Sequence, residues 1–225
     1  MLNQAPKSSA AGHSGNGSGS DMAPAAEEAG MAPDRREAER HRSVLRVARL
    51  LTAEREELCL VRNISAGGLM ASIYSDRKVG EHLTIELNTG QSVSGQIVWI
   101  RDGRMGMAFD ETVDVERVLA KLLDMQKSGQ IMRMPRIAVR GYVTVKTAED
   151  TIAAEMVDLS QGGAKLALDR TLLPGTPATL CVTPALSFPG HIRWNHGAHC
   201  GIIFSSPLSL NIISNIMNHI KSIIE

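Results

Sequence analysis

The sequence repeats itself at a constant offset of 95 residues, and this feature limits the possible folds more than any other. The segment Asn63-Ile-Ser-Ala-Gly-Gly68 returns as Asp158-Leu-Ser-Gln-Gly-Gly163, and Trp99 and Trp194, the two tryptophans, have the same separation. Of the seven glycines between residues 63 and 109, five have another glycine 95 positions later. A constant offset without insertions predicts two tandem copies of one structural unit.

The repeated unit has the residue pattern of β-structure. Apolar and polar residues alternate from Val93 to Trp99, and this period of two is typical of a half-buried strand. Arg101-Asp-Gly-Arg104 predicts a tight hairpin turn, and 195–198 is the matching turn of the second copy. Residues 84–87 and 179–182 predict a further pair of strands. Several short strands with close turn signals favour a small antiparallel barrel in each copy.

Each copy ends in a segment with helical periodicity, at residues 113–126 and 208–224. We expect each helix to close its own barrel, with a homodimer through the terminal helices as the alternative. The predicted fold is mainly β: two tandem antiparallel β-barrels, each followed by a C-terminal α-helix. The predicted domains are a disordered tail at 1–34, a first barrel domain at 35–127 and a second at 128–225.

Composition narrows the class of protein further. Residues 1–34 are rich in Gly, Ser, Ala and Pro, so they cannot bury enough apolar surface to offset the entropy of ordering. The formal net charge is +0, which removes any global attraction to nucleic acid or membranes. Three scattered cysteines do not make a disulfide framework, and no apolar leader or membrane span is present. We expect a cytoplasmic protein.

The charge is nonetheless uneven near the start of the first copy. Six arginines lie between residues 35 and 49, against two glutamates. Within this stretch Arg36-x-x-x-Arg40 precedes Asn63-x-Ser65-x-x-Gly68. Together the two motifs resemble the PilZ domain family, in which an arginine pair precedes the first strand and [D/N]xSxxG follows in the barrel. The resemblance covers about residues 35–126 and again about 133–224.

The resemblance implies that the protein is a receptor for cyclic di-GMP that couples this second messenger to a protein partner. Arginine can form forked contacts with phosphate or with guanine O6 and N7, and can stack on a purine. Asn63 can pair with a guanine edge, Ser65 adds a hydroxyl, and the two glycines permit positive φ and close ligand approach. The implied ligand site consists of Arg36, Arg40, Arg42, Asn63, Ser65, Gly67 and Gly68.

Two parts of this assignment stay open. Arg42-x-x-x-Arg46 has the same spacing, although Val44 to Leu50 already resembles a strand, so we prefer Arg36 and Arg40. In the second copy, the positions equivalent to that pair hold Ile131 and Pro135. A possible second site would use Arg136, Asp158, Ser160 and Gly163. Because an ionised Asp158 only accepts hydrogen bonds, it can pair with Arg136 instead of a ligand, which predicts a structural or weakly binding second copy.

Other functions rank lower. The strongest metal candidate is a zinc site made of His191, His196, His199 and Cys200, but the repeat places these residues in a turn and a strand, so we predict no metal. Paired carboxylates, a nucleophile elbow and a phosphate-cradling loop are all missing, so we expect neither an enzyme nor a cofactor. A nucleic-acid-binding arm at 35–49 would lack interleaved aromatic residues. The runner-up is a PilZ-like scaffold that binds a protein and no nucleotide.

Overall fold

A computed structural model of the chain describes residues 45–87, 90–127 and 134–224. In these ranges the chain forms twelve β-strands and two α-helices. The proposed site residues Arg36, Arg40 and Arg42 and the predicted tail lie outside the described residues, as does most of the lead-in to the second copy. None of the described helices combines the length and the apolar character needed to cross a membrane.

The first copy is a closed antiparallel barrel of six strands. Its strands are β1 (Arg46–Leu51), β2 (Glu56–Ser65), β3 (Gly68–Ser72), β4 (His82–Glu86), β5 (Ser92–Arg101) and β6 (Arg104–Phe109). They follow the order β1-β2-β3-β6-β5-β4 around the barrel, and β4 pairs with β1 to close it. The predicted turn between β5 and β6 is present, with φ of 51° at Asp102 and 66° at Gly103.

The second copy repeats this topology. Its strands are β7 (Ile137–Lys146), β8 (Thr151–Ser160), β9 (Gly163–Ala167), β10 (Pro177–Cys181), β11 (Ser187–His196) and β12 (His199–Phe204). They form a second closed barrel in the order β10-β11-β12-β9-β8-β7. The bounds of β8 to β12 equal those of β2 to β6 shifted by the sequence offset, so the duplication is structural. This confirms the predicted fold class.

A tryptophan packed across a glycine recurs in both barrels. A Cβ atom added to Gly106 would lie 1.9 Å from Nε1 of Trp99, and one added to Gly201 would lie 2.1 Å from Nε1 of Trp194. Any side chain at these glycines would displace the indole ring, because core packing leaves no room for an extra carbon. The tryptophans and glycines are therefore repeated together because each pair is one packing unit.

The two helices begin at equivalent caps. Helix α1 (Val115–Lys127) follows Asp114, whose carboxylate accepts a hydrogen bond from the Arg117 amide at 3.0 Å. Helix α2 (Leu210–Ile224) follows Ser209, whose hydroxyl accepts one from the Ile212 amide at 3.3 Å. Such side-chain oxygens satisfy the free amides of a first helical turn. Both helices start two residues later than the sequence predicted.

The apolar stripe of α2 packs against both barrels. Ile213, Ile216 and Ile220 are buried, and they share one hydrophobic core with the second barrel and with Leu58 of β2. By contrast, Val115 and Val118 of α1 belong to the core of the first barrel. The expectation that each helix closes its own barrel is therefore incomplete for α2. Contacts within the chain account for the burial of these three isoleucines.

Hydrogen bonds reinforce this contact between the barrels. A carboxylate oxygen of Glu56 in β2 accepts a hydrogen bond from the Ala138 amide of β7 at 2.9 Å. The Ser214 hydroxyl of α2 donates to the carbonyl of Tyr74 at 2.6 Å. Both barrels belong to one compact unit. Strand β2 thus contacts the second copy together with Val47 of β1 and with Tyr74.

Candidate ligand-binding site

The Asn-x-Ser-x-x-Gly motif forms the hairpin between β2 and β3. Ser65 is paired with Gly68 across the turn, and the Ser65 hydroxyl donates to the Gly68 carbonyl at 3.1 Å. In the second copy the Ser160 hydroxyl donates to the Gly163 carbonyl at the same distance, 3.1 Å. The serine therefore fixes the hairpin in both barrels. The motif suggested a ligand contact for Ser65 or a role in the turn, and the structure shows a hydrogen bond that holds the turn.

Asn63 lies on the outer face of the barrel and is exposed. The pairing between β2 and β3 shifts between Val61 and Asn63, so Arg62 is an extra residue at a β-bulge. Bulges redirect neighbouring side chains and often occur near functional sites. The Asn63 amide is therefore available to a ligand on the outer face, beside the turn that Ser65 holds.

The structure explains the two glycines of the motif differently from the sequence analysis. Neither Gly67 nor Gly68 has a positive φ, so the expectation of left-handed backbone was wrong. A Cβ atom on Gly68 would lie 2.4 Å from the carbonyl oxygen of Met107, because β6 approaches closely there. A Cβ atom on Gly67 would meet nothing within 4 Å. Gly68 is thus required by strand packing, whereas Gly67 is open to the solvent side.

The arginines expected to complete the site are only partly described. Arg36, Arg40 and Arg42 fall outside the described residues. Arg46 begins β1, where it is paired with Val61. The alternative pair Arg42 and Arg46 would therefore place its second arginine inside the barrel sheet.

In the second copy the corresponding hairpin is engaged by the segment that precedes the barrel. A guanidinium nitrogen of Arg136 lies 2.5 Å from a carboxylate oxygen of Asp158, forming an ion pair. A Cβ atom added to Gly162 would lie 3.8 Å from the sulfur of Met134. Ser160 is buried, whereas Ser65 is half-buried. Arg136, Asp158, Ser160 and Gly163 are thus brought together, but with Asp158 and Arg136 bound to each other.

One row of residues on the outer face joins the motif to the tryptophan. Asn63 is paired with Met70, Met70 with Gly106, and Gly106 with Trp99. Paired residues on adjacent strands point to the same face of a sheet, so this row is one continuous surface. Trp99 is 40% exposed although its ring crosses Gly106. The sequence alone indicated a structural role for Trp99. The strand register shows in addition that Trp99 lies on the same face as Asn63.

The zinc candidate does not assemble. The Cys200 side chain is fully buried in the second core, while His191 and His196 are exposed on the outside. Within the described part of the chain, no group of three or more His, Cys, Asp or Glu residues is placed to hold a metal ion.

Burial also raises the pKa of two cysteine thiols, Cys59 and Cys200. It raises the pKa of Cys59 to about 12, with a further contribution from the charge of Glu57, and the pKa of Cys200 to about 11. A thiol with such a pKa is protonated at neutral pH and is a poor nucleophile. Neither cysteine can therefore serve as a catalytic nucleophile near pH 7.

Comparison with known proteins matches both copies to one family. The model of the PilZ domain matches residues 34–124 and again residues 130–222. The first of these matches includes Arg36, Arg40 and Arg42. A comparison with curated proteins gives no match.

Three solved structures illustrate the structural similarity. The Borreliella burgdorferi PlzA protein in complex with c-di-GMP is 12% identical, with a TM-score of 0.37 and coverage of 77% of this chain and 86% of that chain. The PilZ domain of CeSA from a cellulose synthesizing bacterium is 20% identical, with a TM-score of 0.30 and coverage of 40% and 99%. YcgR in complex with c-di-GMP from Escherichia coli is 16% identical, with a TM-score of 0.26 and coverage of 80% and 82%.

Proposed function

The chain belongs to the PilZ domain family, of which it carries two copies, and from this membership we propose that it is a receptor for cyclic di-GMP. The observation that carries the proposal is the exposed Asn63 beside the hairpin that Ser65 closes onto Gly68. This arrangement presents an amide on a rigid wall of the barrel. The family match at residues 34–124 also includes Arg36, Arg40 and Arg42, which precede this barrel in the sequence.

The chemistry of the ligand suits these groups. Cyclic di-GMP offers two phosphates and two guanines, and guanidinium groups can bind either. We assign the phosphates and a guanine edge to Arg36, Arg40 and Arg42, and another guanine contact to Asn63. Ser65 acts mainly by holding the hairpin, since its hydroxyl proton is already donated to Gly68.

We place the ligand mainly on the first copy. In the second copy Asp158 is engaged by Arg136, and a nucleotide phosphate would have to compete with that carboxylate for the guanidinium. The positions equivalent to Arg36 and Arg40 hold Ile131 and Pro135, which cannot bind phosphate through a charge. The second copy then serves as a scaffold, and its helix α2 contacts β2, the strand that also carries Asn63.

The proposed receptor is cytoplasmic, is not an enzyme and passes the signal to a protein partner. A single strand offers a physical route for that signal. Glu56 and Leu58, near the start of β2, contact the second copy, and Asn63 and Ser65 lie at its end. A ligand that orders the end of β2 would therefore act on the strand that holds the barrels together.

Calorimetric titration of the full chain with cyclic di-GMP tests the proposal. We expect saturable binding that GMP and cyclic di-AMP do not reproduce at equal concentration. Arg40→Ala should weaken binding by about 2 kcal/mol or more, because a charge-assisted contact is lost. The matched control is Arg170→Ala, which removes an exposed arginine paired with Asp150 in the second barrel and should leave the affinity unchanged. Absence of binding by the unmodified chain would favour the nucleotide-free scaffold.

A further inference from the structure

Three arginines lie side by side on the outer face of the first barrel. Arg101 is paired with Arg104 across the hairpin of β5 and β6, and Arg104 is paired with Ser72 of β3. Nε of Arg62 donates to the Ser72 hydroxyl at 2.6 Å, and Ser72 is only 6% exposed. The Arg62 side chain thus lies over Ser72, next to Arg104. We call Arg62, Arg104 and Arg101 the arginine row.

The row lacks neutralising partners at its exposed end. Among the residues that the structure describes, neither Arg101 nor Arg104 has a hydrogen-bond or ion-pair partner, and Asp102 in the turn between them pairs with neither. Like charges opposite each other on neighbouring strands destabilise a sheet. Arg49, in contrast, is paired with both Glu56 and Glu86. Repulsion within the row therefore lowers the stability of the ligand-free barrel, and a bound anion would relieve it.

The row adjoins the candidate site. Ser72 and Arg104 lie two residues along their strands from Met70 and Gly106, a step of about 7 Å. Met70 and Gly106 are the middle two of the paired residues that lead from Asn63 to Trp99. A molecule the size of a dinucleotide, lying on this face, can therefore reach both Asn63 and the exposed guanidinium groups.

The second barrel has no equivalent of the row. The positions that correspond to Arg62, Arg101 and Arg104 hold Val157, His196 and His199. Neither imidazole nor valine offers the forked, permanently charged donors of a guanidinium group. The two outer faces therefore differ in charge although their strands coincide.

We propose that the arginine row is a further phosphate-binding element of the first copy, and that it makes this copy the tighter nucleotide site. The inference rests on the proposed function, because its ligand is cyclic di-GMP. The row would supply forked contacts to a phosphate of the ligand. It accounts for two neighbouring exposed arginines, Arg101 and Arg104, that have no ion-pair partner among the described residues.

The test compares titrations of the full chain with cyclic di-GMP for Arg104→Ala, the double variant Arg101→Ala with Arg104→Ala, and Arg104→Lys. We expect about tenfold weaker binding for Arg104→Ala, a larger loss for the double variant and an intermediate loss for Arg104→Lys, which keeps charge but not the fork. Affinity should also fall less steeply with salt in the double variant. The matched control is His196→Ala with His199→Ala, which should bind as the unmodified chain does.

Thermal unfolding without ligand separates this role from a structural one. Removing either exposed arginine relieves repulsion, so the melting temperature should stay unchanged or rise while the affinity falls. If the double variant binds within twofold of the unmodified chain while Arg40→Ala still weakens binding, the row is not part of the site and the proposed function stands. An equal loss in the histidine control overturns the assignment to the first copy. If the unmodified chain does not bind, both proposals fall.

Discussion

Gly141 and Ile220 are in direct contact, so that a Cβ atom on Gly141 would lie 2.2 Å from Cγ2 of Ile220. This contact seats helix α2 on strand β7, and the same helix reaches Leu58 of the first barrel. The equivalent position in the first copy is Arg46, whose side chain would prevent such an approach. The difference accounts for the close approach of α2 to β7 in the second copy.

Gly141→Ala should therefore destabilise the protein by about 1–3 kcal/mol, since the added methyl group overpacks the helix against the strand. The measurement is the free energy of unfolding from urea titrations. Gly67→Ala is the matched control, because its methyl group would meet no atom within 4 Å, and it should change stability by less than about 0.5 kcal/mol. Equal effects of the two changes would refute the packing role of Gly141.

A second prediction concerns the charge cluster beside the barrel contact. The Arg77 side chain is 7% exposed and lies 2.5 Å from Glu57 and 2.7 Å from Glu81. Burial lowers the pKa of Arg77, but hydrogen bonds and charges of Glu57 and Glu81 outweigh it and raise the value. Arg77→Met should cost about 1–3 kcal/mol, because Glu57 and Glu81 both lose a charged hydrogen-bond partner while Arg55 and Ser75 still contact Glu57. Arg170→Met breaks an exposed pair and should cost less than about 1 kcal/mol in the same urea titrations.

The two motif serines allow a matched comparison. Ser65→Ala and Ser160→Ala each remove one hydrogen bond across a hairpin, so each should lower the free energy of unfolding by about 1 kcal/mol. Only Ser65→Ala should also weaken cyclic di-GMP binding in calorimetry, since its hairpin positions Asn63. If the titration instead showed two equivalent sites, one removed by Ser65→Ala and the other by Ser160→Ala, the two copies would bind alike.

The buried thiol of Cys59 predicts an alkaline loss of stability. Its pKa is raised from 9.0 to about 12 in the folded protein, mainly by burial. Between these values the folded protein keeps a proton that the unfolded chain has released, so a rise in pH favours unfolding. The free energy of unfolding should fall as pH increases above 9, and it should fall less steeply in Cys59→Ala. Parallel curves for the two proteins would contradict this account.

Local patterns in the sequence were sufficient to predict the barrels. The offset between Trp99 and Trp194 indicated the duplication, and Asp102-Gly103 indicated a hairpin whose positive φ values the structure contains. Alternation from Val93 to Trp99 marked a strand, because each such signal depends on neighbours within a few residues. These features needed no knowledge of distant contacts.

Contacts between distant segments could not be predicted in this way. Nothing near Leu58 in the sequence indicates that it packs in the core of the second copy, and the bond from Ala138 to Glu56 joins residues 82 positions apart. The need for glycine at position 68 could not be predicted either, because the atom that excludes a side chain there is the carbonyl oxygen of Met107 on another strand. The arginine row emerged only from the three-dimensional structure, in which Arg62 bonds to Ser72 and Ser72 is paired with Arg104.

The central claim is that cyclic di-GMP binds the outer face of the first barrel at the β2–β3 hairpin. Hydrogen exchange of the full chain with and without the nucleotide tests it most directly, and the hairpin at 158–163 is the internal control. We predict that protection increases at 63–68 and at 35–42, while 158–163 stays unchanged. Unchanged exchange at 63–68 under saturating ligand, or an increase confined to 158–163, would contradict the claim.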